Sequence, residues 1–242
     1  MTTKEISDRI LARMDDTGGE TVTSDPSSPV PPEILAAVNE GQELFSLLTL
    51  CLEQTDNWTL TASTPWISVR ATFPDFLAPL KLAVVGGVRI RPATLAELDA
   101  ENEVWQATAG TPARYVTKGF NLFAFTPQPA NDTVLQFTRA RSPVQLVSDA
   151  FPEIPEEYHA TALVNYGVYR VKLKEGAQGL ERGINYLNAF LDDAQRLGDF
   201  VRGRSKAARY DALPFELKLF DRSRLIKTLK EKPIWQKAKA DA

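Results

Sequence analysis

The sequence predicts an α+β protein: a helical bundle made by the N- and C-terminal helices, an antiparallel β-sandwich or small barrel inserted into it, and an extended C-terminal arm. Three observations predict this. Apolar residues recur at helical spacing up to residue 57 and again over 149–206, they alternate with a period of two over 58–148, and both periods give way over 207–242 to a basic tail with isolated aromatics.

The first element is a short amphipathic helix at about Lys4 to Met14. The loop from Asp15 to Pro32, rich in Gly, Ser, Asp and Pro, has too little apolar surface to fold alone. Pro32 is a good first helical residue for a second helix reaching about Gln54, with Ile34, Val38, Phe45 and Leu48 near one face. Between Trp58 and Val147 come short β-branched and aromatic runs, Trp58 to Ala62, Trp66 to Phe73, Leu82 to Val85, Val88 to Arg91, Ala113 to Thr117, Asn121 to Phe125 and Thr133 to Ala140, bounded by Gly, Pro, Asn and Asp as antiparallel strands are. Gly86-Gly87 reads as a hairpin turn, since it lacks the lysine and the following helix of a phosphate loop. Within this region Ala93 to Asn102 predicts a short helix, with Thr94 and Glu97 at capping-box spacing.

Pro152 and Pro155 stiffen the approach to a helix from Pro155 to Glu175, whose first turn carries Glu156 and Glu157 where the helix dipole favours them. A second helix, Gln178 to Arg204, places Leu180, Ile184, Leu187, Leu191, Ala194 and Val201 in one stripe interrupted by Gly198. The stripe wants a partner, and the short connection through Gly176 makes the preceding helix its antiparallel neighbour. The last segment holds Leu213-Pro-Phe-Glu-Leu-Lys-Leu-Phe220, which alternates, then a basic stretch and Trp235. Aromatics beside basic residues are characteristic interface anchors, so Phe215, Leu217, Phe220 and Trp235 are the candidate partner-binding residues.

Charge divides along the chain. From Arg202 onward there are 12 basic and 5 acidic residues, a balance of +7, against 16 basic and 26 acidic before it, a balance of −10. A tail solvated on its own and a tail docked on an acidic surface or nucleic acid both fit this asymmetry. Cys51 is the single cysteine and His159 the single histidine, which removes disulfide frameworks, cysteine-rich zinc sites and most catalytic-metal schemes. His159, one turn into a helix beside Tyr158, reads as a hydrogen-bonded packing residue. The neighbours Asp192 and Asp193 diverge by about 100° on a helix and do not converge as acid–base partners must. No apolar run approaches the roughly 20 residues that span a bilayer, and no signal-peptide core is present, so synthesis in a cytoplasm is the expectation. We therefore expect no catalytic, cofactor or metal site and no enzymatic activity.

Four stretches in order carry a resemblance: Trp105-Gln-Ala-Thr-Ala-Gly-Thr-Pro-Ala-Arg-Tyr115, Phe120-Asn-Leu-Phe-Ala-Phe-Thr-Pro-Gln-Pro129, Thr133-Val-Leu-Gln-Phe137, and the run from Phe151 through Tyr158-His-Ala-Thr-Ala-Leu163 to Arg170. Together, over about Ile34 to Phe200, the chain resembles the head-to-tail adaptor (connector) proteins of tailed bacteriophages. The resemblance implies a structural virion protein, made in the host cytoplasm, that forms a homo-oligomeric ring of typically twelve copies beneath the portal protein. It also implies an extended channel through which genomic DNA passes without specific binding, and a platform for tail or nozzle proteins; no membrane is involved. Physically, Gly110-Thr-Pro sets a turn, Pro127 and Pro129 end a strand, and Trp105 reads as a packing residue. The acidic body is expected to face the channel, where it would let DNA slide, while the basic arm faces a partner. Two other classes stay open at this point: a carbohydrate- or peptide-binding β module, which requires Trp58, Trp66 and Trp105 on one exposed face, and a carboxylate hydrolase, which requires two acids converging in a pocket.

Overall fold

The computed structural model describes residues 1–14, 29–62, 64, 66–119, 121–175 and 177–207. They form two compact units, one of Met1–Cys51 with Pro143–Val201 and one of Leu52–Ser142. The first is helical, and the second holds a curled seven-stranded sheet.

The helical unit contains α1 (Thr3–Met14), α2 (Pro32–Thr49), α5 (Val164–Lys172) and α6 (Ala177–Ala207). Helical spacing puts Ile6 and Ile10 of α1, and Ile34, Val38 and Phe45 of α2, on faces that are fully buried together with Val164, Val168 and Phe190. On α6 the predicted stripe is buried at Leu187, Leu191, Ala194 and Val201 and widened by Phe190 and Leu197, while Ile184 is half-buried outside that core and the Leu180 side chain lies outside the described ones. The Tyr166 and Phe190 rings lie 4.9 Å apart. A Cβ on Gly183 would lie 3.4 Å from Tyr169 Cδ2, so α5 and α6 touch in the antiparallel sense.

Two helices differ from their predicted form. The second stops at Thr49, short of Gln54, because Leu50 turns left-handed (φ 54°) and donates its N–H to the Ser46 carbonyl, after which Glu53 begins a strand. The segment 155–175 is not one α-helix. It starts with a 3-10 turn, Glu156–Tyr158, and a π turn, His159–Leu163, before α5, and ends in a 3-10 turn, Leu173–Glu175. The Tyr158 amide bonds back to the Pro155 carbonyl at 3.0 Å, while the His159 ring takes the Ile154 carbonyl at 2.8 Å, so the first carbonyls serve short-range and side-chain partners.

The second unit runs β1 (Glu53–Leu60), β2 (Ile67–Ser68), α3 (Val69–Thr72), β3 (Phe76–Val84), β4 (Arg89–Pro92), α4 (Leu95–Glu101), β5 (Ala109–Gly110), β6 (Arg114–Lys118), β7 (Leu122–Thr126), β8 (Gln128–Pro129) and β9 (Thr133–Arg141). The main sheet has the order β1-β9-β3-β4-β6-β7-β2, with β5 and β8 forming a separate parallel pair. Trp58 on β1 lies 5.9 Å from Phe123 on β7. Those strands are five places apart, about 24 Å in a flat sheet, so the sheet curls round an aromatic core. That core joins Trp58, Phe73, Phe76, Tyr115, Phe123, Phe125 and Phe137.

Where a sandwich or small barrel is expected, the structure has one curled seven-stranded sheet, and its pairing is not wholly antiparallel. β4 and β6 pair in parallel because the chain between them crosses over through α4. α4 carries the predicted capping box, Thr94 with Glu97. The expected strand from Trp66 to Phe73 is strand only at Ile67–Ser68, since Val69–Thr72 coils to bury Val69 and direct its amide to the Asn121 carbonyl.

Gly167 of α5 faces α1: a Cβ there would lie within 3.0 Å of Ile10 Cγ1 and closer still to its Cδ1. Replacing Gly167 with Ala should lower unfolding stability by about 1–3 kcal/mol through overpacking. Adding Ile10→Val, which removes the clashing methyl, should recover part of that loss in a double-mutant denaturation series.

Candidate functional site

Chemistry has little to work with among the described residues. His159 is buried, its Nε2 2.8 Å from the Ile154 carbonyl and its Nδ1 3.3 Å from the Met1 amine, which is the packing role its sequence context predicts. Asp192 and Asp193 are half-buried neighbours on α6, and Cys51 is a half-buried thiol outside any disulfide. No three His, Cys, Asp or Glu residues converge to hold a metal ion, and no helix is long and apolar enough to cross a membrane, both among the described residues. Gly86 and Gly87, at φ 112° and 114°, form the β3–β4 hairpin turn, a left-handed geometry that glycine adopts without a Cβ penalty.

Buried charge in the β unit is satisfied internally. Arg139 is enclosed under the sheet, with Nε 3.0 Å from Asp56 Oδ2, Nη1 2.7 Å from Asp75 Oδ1, and its guanidinium 4.6 Å from the Phe73 ring centroid. This is a positioned structural pair, tying β9 to β1 and to the turn before β3.

The indoles do not form a binding platform. Trp58 and Trp105 are each only 2% exposed. Trp105 donates Nε1–H to Asp99 at 2.8 Å and meets Trp66 edge-on at 6.4 Å, in a small core with Leu98, Val116 and Ala124. That core roofs the outer face of β6 and β7. The single-face condition for a carbohydrate- or peptide-binding module is therefore not met.

What the described residues do present is apolar side chains at two surfaces. The first is the strap leading into the 3-10 turn before α5, where Val144, Val147 and Phe151 are 66%, 69% and 68% exposed. They are held out by a polar clasp beneath them. Asn39 of α2 donates Nδ2–H to the Leu146 carbonyl at 3.1 Å and accepts the Leu146 amide at 2.6 Å; Gln42 donates to the Val144 carbonyl at 2.8 Å. Glu153 accepts the Val144 amide at 2.7 Å, so the strap's backbone is satisfied from inside and its apolar residues turn outward. Asp149, Glu153, Glu156 and Glu157 are exposed along the same segment.

The second surface is the outer face of β1, β9, β3 and β4. Register aligns Asn57, Gln136, Ala83 and Arg89 in one row across the four strands, and Thr55, Thr138 and Lys81 in the next. Asn57, Gln136, Ala83, Arg89 and Lys81 line, with the hairpin, a depression of about 470 Å³. Val85 and Val88, 59% and 55% exposed, flank the Gly86-Gly87 turn, and the Val85 amide bonds to the carbonyl of exposed Val134 at 3.1 Å. Arg91 stands exposed two residues beyond Arg89.

The sequence-predicted anchors Phe215, Leu217, Phe220 and Trp235 lie outside the described residues. Sequence reading passed over Val144, Val147 and Phe151 because they follow no helical or strand period. The available signal was an apolar trio between Pro143 and Pro155, where proline-rich backbone leaves side chains without a regular face to share.

Compared with known families, residues 1–213 match the family model described as SU10 adaptor protein. No curated protein matches the chain.

Because Asn39 bonds both polar groups of Leu146, Asn39→Ala leaves two backbone groups to find water and should cost about 1–3 kcal/mol. The strap should loosen before the core does. Amide exchange at Leu146, rising at least tenfold while Val168 stays protected, is the expected readout.

Proposed function

The chain belongs to the SU10 adaptor protein family, a phage head-to-tail adaptor family, and from that premise we propose that it is a structural protein of the virion that joins the capsid portal to the tail. In this reading the subunits form a ring, typically of twelve copies, beneath the portal. The helices pack as a bundle that carries the β unit as an insertion, and the ring extends the DNA channel while offering a platform to tail or nozzle proteins. The single observation that carries the reading is the family match over residues 1–213.

The division of charge, −10 before Arg202 and +7 from there on, fits two tasks. Carboxylates along a channel wall hold no phosphate, so DNA slides past them. The basic arm with Phe215, Leu217, Phe220 and Trp235 supplies the anchors for the portal or a neighbouring subunit. All four residues lie beyond the stretch that matches the family model. The protein acts by assembly and catalyses nothing.

A chain truncated after Lys206 separates folding from attachment. Among the described residues, both main hydrophobic cores are built from residues up to Val201. The truncated chain should therefore keep its circular dichroism spectrum and unfolding midpoint, yet lose binding to portal-bearing capsids. Loss of folding together with binding would place the arm in the core instead. The mass of the full-length protein released from virions or assembled on portals tests the ring itself, and a monomeric mass in both settings would overturn it.

A further inference from the structure

The strap and the outer sheet face carry opposite charge around similar apolar centres. The strap exposes Val144, Val147 and Phe151 among the carboxylates of Asp149, Glu153, Glu156 and Glu157, with no lysine or arginine between Val144 and Tyr169; the cation paired with it among the described residues is the Met1 ammonium, 3.3 Å from Glu156, which is still 82% exposed. The sheet face exposes Val85, Val88 and Val134 beside Lys81, Arg89 and Arg91, and its carboxylate, Glu53, stands at the far end of β1. Lys81 makes no ion pair among the described residues.

We infer that the strap of one copy seats on the outer sheet face of the next, with Phe151 and Val147 against Val85 and Val88, and Glu156 and Glu157 against Lys81 and Arg91. The inference rests on the ring reading above and names the contact that closes it. Two different patches of one chain that complement each other make a heterologous interface, which closes into a ring when the rotation allows and needs no two-fold axis. Strap against strap would oppose one net acidic segment to another, three carboxylates remaining beyond the Glu156–Met1 pair, and sheet face against sheet face would oppose cations to cations, so charge disfavours both self-pairings. A phosphate backbone would satisfy Lys81 and Arg91 but leave the valines wet. An apolar and acidic polypeptide segment covers both, and the strap is such a segment. The depression lined by Asn57, Gln136 and the hairpin, about 470 Å³, has room for an aromatic side chain such as Phe151.

The contact is tested by exchanging its charges in the full-length chain, assembled on portal-bearing capsids and weighed by native mass spectrometry after release. Lys81→Glu with Arg91→Glu should weaken subunit association by about tenfold or more, and so should Glu156→Lys with Glu157→Lys. All four together should restore it, a recovery that misfolded protein cannot give. As a direct probe, Val88→Cys and Phe151→Cys are made in separate Cys51→Ser chains. Mixed one to one and mildly oxidised, they should form a disulfide-linked pair of one of each, and neither variant should link to itself. If rings form and neither charge pair disturbs them, or if the cysteines fail to cross-link in formed rings, this contact is wrong while the ring stands. If the unaltered chain forms no ring on portals, both readings fall together.

Discussion

The helical unit depends on how closely α5 approaches its neighbours, and that approach is set by two glycines. Gly167 leaves the space that Ile10 of α1 fills, and Gly41 of α2 leaves room for Tyr166, whose Cδ1 would lie 2.9 Å from a Cβ at that position. With α5 drawn in, Tyr166 reaches Phe190 on α6 and its hydroxyl reaches Glu40 on α2; burial, reinforced by that bond, pushes the phenol well above its ordinary pKa and keeps it a donor. Glu40 also pairs with Arg170 at 2.7 Å, and Glu33 with Lys174, but these are half-exposed pairs that add little beside the packing. Gly41 in mid-helix costs about 1 kcal/mol against Ala, yet it is the site of a ring-on-backbone contact. Local propensity is given up there for tertiary fit.

The β unit shows a different constraint, an uneven covering of one sheet. Its inner face is closed by the aromatic core wherever the sheet curls. Its outer face is roofed over β6 and β7 by α4 and the Trp66–Trp105 pair, which is why those strands bury residues on both sides instead of alternating. Over β1, β9, β3 and β4 no such roof exists among the described residues. Period-two alternation accordingly survives on β1 and β9, with Trp58, Leu135 and Phe137 inward and Asn57, Gln136 and Val134 outward. A covered half and an open half of the same sheet are the physical origin of the second exposed surface.

Much of this was legible in the sequence where one physical rule governs one stretch. The stripe of α6, the proline start of α2, the glycine hairpin and the Thr94–Glu97 box each follow from local spacing, and each is present. The misreadings occur where distant partners compete with local preference. Gln54 belongs to a strand because Arg139 lies opposite it, 85 positions away, and Val69 coils because the Asn121 carbonyl takes its amide. The parallel β4–β6 pair is invisible to alternation, which reports faces and not strand direction. Of the candidate surfaces, the acidic run from Glu153 to Glu157 was visible but read as a helix start, since nothing local shows that Asn39 and Gln42 hold the preceding strap from below. The arm, which sequence pattern singled out most clearly, lies outside the described residues.

The two surfaces also bear on why the chain carries apolar side chains in water at all. Exposed apolar residues scattered singly need no explanation, but three on a backbone fixed by six side-chain hydrogen bonds are another matter. Fixing a strap in one conformation costs conformational entropy, roughly 1–2 kcal/mol per residue, and a solvated loop would avoid that cost. Here Asn39, Gln42, Glu153 and Thr3 all spend polar side chains on holding the strap, while its apolar ones gain little burial among the described residues. Rigidity of this kind lowers the entropy lost when a partner arrives, so most of the contact energy is available for association. A subunit that must find its neighbours in a fixed geometry benefits from such preorganisation, whereas a flexible tether would not. In the assembly proposed above, the clasp on the strap is a cost carried by the monomer and recovered at the contact.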